Sequence, residues 1–293
     1  MKKVFWMLEA VFVLAVSLPF AVLPYRISVM AGELLGLLIF LAWGSRRKIA
    51  VDNIRNSLPL LQGHGTAVQI AQMTFRYLGR SFTEMVKIYY GLGRALVESV
   101  EVRGTEHYRS AKEKGKGVII ITGHCGNWEM AAIVFGSRVG GIYGVARKQD
   151  NPYLNAFVAK MRGVFGNRII YKQGALKSIL RVLRDDGNVG ILMDQAVVKD
   201  EGYIVDFLGR GAWTTKMPAL IARKTGAAVI PAFLHREGRR QVFTIHPEVP
   251  LSEHQDTETA IIEDTKKFNG ILGEYIRAHP AEWLWIHRRW KRV

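Results

Sequence analysis

Hydrophobic positions along the chain fall into two regimes. The first runs from Val4 to Trp43 and is nearly continuous in apolar residues. "VFWMLEAVFVLAVSLPFAVL", Val4 to Leu23, matches the ~30 Å thickness of a bilayer core and is interrupted only by Glu9 and Pro19. A second apolar stretch, Ile27 to Trp43, carries Glu33 and ends in Arg46-Arg47-Lys48. If both stretches insert, the cations at Lys2-Lys3 and at Arg46-Arg47-Lys48 place both flanks on the cytoplasmic side. If only the first inserts, the second lies in the interface as an amphipathic helix. Two buried core helices of a soluble protein are the plain alternative. A cleaved signal peptide fits less well, because Glu9 falls inside its apolar core and more apolar sequence follows.

Beyond Lys48 the pattern becomes periodic. "AVDNIRNSLP" stops at Pro59, and "TAVQIAQMTFRYLGRSFTEMVKIYY" has the three- and four-residue spacing of a helix. Val100 to Val102 reads as a short strand, and Glu106 to Lys114 as a helix closed by Gly115. The period then shortens. "GVIIIT", "GIYGVA", "RIIY", "VGILMD" and "AAVIPAFL" read as strands, and "QVFTIHPEV" as an edge strand. Helices alternate with them over Trp128 to Ser137, "NAFVAKMRGVF", "ALKSILRVLRDD" and "KMPALIARKTG", and a long one closes the chain over Glu258 to Ala278. This alternation predicts an α/β fold with a mostly parallel or mixed central sheet flanked by helices, preceded by N-terminal membrane-associated helices. The expected division is a membrane-anchoring segment over 1–45 and a catalytic domain over 46–293, whose first part is helical.

Charge changes the picture of partners. The 293 residues include 41 Lys and Arg and carry a net charge of +16. A surface this basic favours polyanions: nucleic acid, anionic lipid or an acidic carrier protein. "EWLWIHRRWKR" interleaves Trp283, Trp285 and Trp290 with Arg288, Arg289, Lys291 and Arg292. Such a mixture suits a membrane interface or stacked nucleic acid, and the apolar N-terminus decides for membrane. The lone Cys125 excludes an intramolecular disulfide framework and a cysteine-rich metal site.

Ligands of such sheets bind beyond the carboxyl ends of the strands, which singles out Thr122 to Glu129, Arg147 and Asp194. In "IITGHCGNWEMAAIVF" the strand ends before His124, and Asn127 is an expected N-cap. On a continuous helix, residues five apart point about 140° from one another. With Gly123 and Gly126 permitting a sharp turn, His124 can fold back to reach Glu129, and a carboxylate beside imidazole makes a general base. The plain reading is a polar strand-end residue and a first-turn carboxylate favoured by the helix dipole. No zinc-type spacing is present, so no metal is expected. Cys125 reads as a small apolar filler.

"GHCGNWE" resembles the H-x-x-x-x-[D/E] motif of the late acyltransferases of lipid A biosynthesis, within the wider glycerolipid acyltransferase class. Further collinear blocks are similar to that family: "RRKIAVDNIRNSLP", "VARKQDNPYLN", "GILMDQ" with "VDFLGRGAWTTKMPALIARKTGAAVIPAF", and "HPAEWLWIHRRWK". The resemblance implies acyl transfer from acyl carrier protein to a hydroxyl of a membrane glycolipid, a lipid A precursor above all, on the cytoplasmic face of a Gram-negative inner membrane. It implies no cofactor beyond the acyl donor, acidic carrier protein and anionic inner-membrane lipid as partners, and no nucleic acid. His124 is then the base, oriented by Glu129. Arg147, or a backbone N–H beside Gly126 such as that of Asn127, stabilises the tetrahedral intermediate, or Arg147 grips an acceptor phosphate. Asp194 orients Arg147. The contrasting reading is a non-catalytic basic protein tethered to the membrane, which has no need of a histidine–carboxylate pair at a strand end.

Overall fold

The computed structural model describes residues 2–57, 59 and 63–291. Four helices come first: α1 (Lys2–Val22), α2 (Tyr25–Ala42), α3 (Gly44–Ser57) and α4 (Ala67–Tyr89). Pro24 separates α1 from α2, while Pro19 lies inside α1 without ending it. Thr66 starts α4 through a capping box with Gln69. Both α1 and α2 are long and apolar enough to cross a membrane by length and composition. They are not core helices, since Phe5, Phe12, Met30, Leu34 and Leu41 all face outward.

Their inner faces are held closely. A Cβ on Gly32 would lie 2.6 Å from the Gly79 carbonyl oxygen, and one on Gly36 would lie 2.1 Å from that of Phe75. Small residues therefore bring the backbones of α2 and α4 into direct contact. Polar ties add to this. Lys87 Nζ donates to the carbonyls of Ala21 at 2.7 Å and Leu23 at 2.6 Å. Asn151 Nδ2 donates to the carbonyl of Trp6 and to Glu9, both at 2.9 Å.

The remaining elements, in chain order, are α5 (Arg94–Glu98), β1 (Glu101–Arg103), α6 (Thr105–Lys112), β2 (Val118–Thr122), α7 (Trp128–Arg138), β3 (Ile142–Ala146), α8 (Pro152–Gly163), β4 (Arg168–Tyr171), α9 (Ala175–Arg184), β5 (Asn188–Leu192), β6 (Gly202–Phe207), β7 (Arg210–Thr215), α10 (Met217–Thr225), β8 (Ala228–Glu237), β9 (Arg240–Ile245) and α11 (Thr257–Ala278). Seven strands form one sheet in the order β1-β9-β8-β2-β5-β3-β4. Strands β8, β2, β5, β3 and β4 run parallel, and β9 is antiparallel to β8. Along β2, Ile119 and Ile121 enter one apolar core while Val118 and Ile120 enter the other. Burial on both faces is why "GVIIIT" has no polar alternation.

Three expectations are corrected. Strand β9 is not an edge, because β1 pairs parallel to it with Glu101 opposite Val242. The hairpin β6–β7 adds two strands over a stretch for which the periodicity predicted none. Its turn places Leu208 at φ 53° and Gly209 at φ 78°, a conformation that lacks the usual Asn-Gly signal. The tryptophans near the C-terminus face inward, with Trp283 1% and Trp285 0% exposed. They pack with one another and with Phe207 rather than presenting an interfacial belt. Of the cations interleaved with them, Arg289 is buried and Arg288 and Lys291 are exposed, and Arg292 lies outside the described residues.

Candidate active site

Parallel pairing of β2 with β5 sets Thr122 opposite Leu192, so His124 and Asp194 leave the sheet side by side at its carboxyl end. His124 Nδ1 lies 2.8 Å from Asp194 Oδ1. Asp194 Oδ2 accepts from the backbone N–H of His124 at 3.0 Å and from the indole N–H of Trp283 at 2.9 Å. The carboxylate is buried and its two oxygens are occupied. This selects the tautomer with hydrogen on Nδ1 and leaves Nε2 as the basic lone pair. Gln195 Nε2 lies 3.3 Å from that atom. Trp128 meets the ring edge-on at 5.0 Å between centroids.

The electrostatics oppose one another. Burial alone would lower the pKa of His124, but the charge and hydrogen bond of Asp194, followed by the charge of Glu129, raise it above its ordinary 6.5. Burial would likewise raise the Asp194 carboxyl, yet His124 and the N–H donors hold it well below the ordinary carboxylate range. Asp194 is therefore an anion held beside a ring that gains charge when it accepts a proton.

Residues remote in sequence shape the turn. Gly126 adopts φ 54°, and a Cβ there would lie 2.0 Å from the Leu234 carbonyl oxygen, so glycine is required. Its N–H donates to the Glu282 carbonyl at 2.7 Å, and the Leu284 N–H donates to the His124 carbonyl at 3.1 Å. Cys125 forms a backbone bridge with Trp283 between them. The block "EWLWIH" thus pairs with the turn that carries His124. Asn127 caps α7 as expected, its Oδ1 accepting from Met130 N–H at 3.1 Å.

Several expected roles move. Glu129 does not orient the histidine. Its carboxylate makes a two-point pair with Arg162, one bond being Nε to Oε2 at 2.8 Å, and it acts on His124 only through its charge. The orienting carboxylate is Asp194, which consequently does not orient Arg147. Arg147 is 79% exposed on the loop after β3 and pairs with Asp150 at 3.0 Å. The backbone N–H of Gly126 is already given to Glu282, and that of Cys125 to Gly123 at 2.7 Å. Those two are engaged within the turn, while no hydrogen bond from the Asn127 N–H, on the other side of Gly126, is seen among the described residues. The Cys125 thiol is buried and pushed well up by that burial, then by Asp194, which makes it a poor nucleophile. Trp283, Gln195 and Arg162 were not foreseen. Trp283 and Gln195 stand inside recognisable blocks, but only the folded register shows what they touch.

A carboxylate-held imidazole at the carboxyl end of a largely parallel sheet, its outer nitrogen met by Gln195 Nε2, has the geometry of a general acid–base group in an α/β fold. Comparison with known proteins narrows this. The family described as bacterial lipid A biosynthesis acyltransferase matches residues 2–292, so the chain belongs to that family and is an O-acyltransferase. It is 25% identical over 275 residues to the lipid A biosynthesis lauroyltransferase of Escherichia coli K12, covering 92% of this chain and 87% of that protein. It is 26% identical over 217 residues to a phosphatidylinositol mannoside acyltransferase of Mycobacterium tuberculosis H37Rv, covering 72% and 67%. The lipid A biosynthesis acyltransferase of Haemophilus influenzae Rd is 23% identical over 278 residues, covering 91% and 82%.

Proposed function

We propose that this enzyme moves a fatty acyl chain from an acyl carrier protein thioester to a hydroxyl of a membrane glycolipid, with a lipid A precursor as acceptor. The observation that carries the chemistry is the His124–Asp194 pair. Nε2 of His124 takes the acceptor's hydroxyl proton as the oxygen attacks the thioester carbonyl. Asp194 steadies the imidazolium that forms, and Trp283 keeps Asp194 from turning away. The same imidazolium returns the proton to the departing thiolate. Attack is direct, and the buried Cys125 takes no part. Arg147, exposed on the loop after β3, is assigned to an acceptor phosphate rather than to the reacting carbonyl.

Support for the lipid A acceptor comes from the E. coli relative, which spans more of the chain than the mannoside acyltransferase at similar identity. A phosphatidylinositol mannoside is the second acceptor to try. The apolar outer faces of α1 and α2 and the cations at Lys2-Lys3 and Arg46-Arg47-Lys48 support placement on the cytoplasmic face of the inner membrane. The +16 charge supports an acidic carrier as donor.

The test is mass spectrometry of lipids after the purified enzyme is given acyl carrier protein thioesters and each acceptor. An acylated lipid A precursor is expected. Acylation of the mannoside alone would change the acceptor, and transfer from acyl-coenzyme A alone would remove the carrier protein.

A further inference from the structure

Among the described residues the most heavily bonded carboxylate is Glu84, on the inner face of α4. It is fully buried. Its Oε1 accepts from the Tyr25 hydroxyl at 2.9 Å and from Gln241 Nε2 at 3.0 Å. Its Oε2 accepts from Asn127 Nδ2 at 2.9 Å. Arg236 Nη2 donates to both oxygens, at 3.0 and 2.8 Å. A buried carboxylate needs such partners to be tolerated at all, and Arg236, with Arg80 Nε 3.5 Å from Oε1, supplies the balancing charge. The other partners show what it joins.

Asn127 belongs to the catalytic turn. One end of its amide caps α7 and the other is held by Glu84, so the group is fixed at both ends. Its neighbour Gly126 is tied to the Glu282 backbone, and Glu282 Oε1 accepts from the Arg236 N–H at 3.1 Å. The Glu84–Arg236 pair therefore braces the turn on two sides. Tyr25 is the first residue of α2, and Lys87, three positions beyond Glu84 on α4, holds the carbonyls at the end of α1. One stretch of α4 thus grips both the junction of the N-terminal helices and the turn that carries His124.

We infer that Glu84 is a positioning residue for His124, and that through Tyr25, Glu84 and Asn127 the seating of α2 on α4 helps to set the catalytic turn. The inference rests on the assignment of His124 as base. It gives the N-terminal helices a part in turnover that is separate from attachment.

The test uses the full chain in detergent micelles, where membrane partition does not limit the rate. Glu84→Gln sets one amide against another, and Asn127→Asp keeps the cap but sets two carboxylates together. Each is expected to lower kcat about tenfold or more, the scale on which displacing a reacting group acts, with KM for the donor little changed. The double variant Glu84→Gln with Asn127→Asp moves the charge to the other end of the hydrogen bond and should recover most of kcat. Tyr25→Phe removes one hydroxyl and keeps the ring, so it tests the helix link even if Glu84→Gln does not fold. It should lower kcat about threefold while vesicle binding stays the same. Wild-type kcat in folded Glu84→Gln, or a double variant no better than the singles, overturns the positioning role. Wild-type kcat in Tyr25→Phe overturns the link to α2. His124→Ala in the same assay keeps the two ideas apart: if it turns over normally, the assignment of the base fails.

Discussion

Two regions of this chain share a composition that suits lipid, and they end in opposite places. The N-terminal helices keep their apolar outer faces exposed and touch the body through glycines, a few polar ties and inner aromatic contacts such as Phe40 on Phe75 and Phe20 on Phe82. The tryptophan- and arginine-rich block near the C-terminus turns inward, with Trp283 against Asp194 and Arg289 capped by Thr214 Oγ1 at 2.6 Å. The difference is one of available partners. A tryptophan N–H that finds a buried carboxylate gains more there than at an interface, and an arginine can be buried when carbonyl, hydroxyl and aromatic groups surround it. The outer apolar faces of α1 and α2 have no such partners among the described residues. Composition identifies side chains able to meet lipid, whereas the register of the fold decides which of them do.

If the inward region is the catalytic one, breaking its centre has the largest effect. His124→Ala is expected to lose acyl transfer by ~10²-fold or more, the ordinary contribution of a general base, while folding and binding membranes as before. Turnover close to that of the wild type in the purified variant would break the contrast. The next largest effect concerns the indole that holds Asp194. Trp283→Phe keeps most of the ring but removes its N–H, and should destabilise the fold by about 1–3 kcal/mol in a denaturation series. An equally buried tryptophan serving only as filler would show a smaller loss.

A third measurement sharpens the assignment through pH. His124 acts as a base when neutral, and its pKa is raised, so kcat/KM should climb through an acidic limb lying above 6.5. Asp194→Asn should move that limb downward as well as lower the rate. The stability linked to His124 has the opposite sense: it is present below the unfolded pKa and fades as pH rises through the folded value. A limb unmoved in Asp194→Asn would detach the carboxylate from the base. The smallest effect belongs to the outward region. Phe5→Ser with Phe12→Ser should weaken vesicle binding and raise KM for a membrane-held acceptor, with kcat in micelles unchanged. Undiminished binding in high salt would put the attachment elsewhere.

Much of this arrangement was legible beforehand. The apolar run of β2, the permissive Gly126 and the capping Asn127 together located the turn and its histidine. Asp194 was visible as a strand-end carboxylate. What could not be read was the pairing. Glu129 is close to His124 in sequence, whereas Asp194 is 70 residues away and reaches it only because β5 lies beside β2 in a particular register. Short-range proximity therefore suggested the wrong orienting group. The same holds for Glu84, which looks like one more polar position on an amphipathic helix until the sheet brings Gln241 and Arg236 against it.

The backbone pairing of Cys125 with Trp283, and the flanking bonds from Gly126 to Glu282 and from Leu284 to His124, also impose an order in time. During synthesis the apolar helices emerge before the sheet and are free to find a bilayer while it is still being made. The histidine turn emerges later but lacks its second backbone until the segment around Trp283 has left the ribosome. Domains fold as their contacts become available, so on the proposed reading a nascent chain stalled before Glu282 would have its apolar helices but lack the backbone partner of its histidine turn.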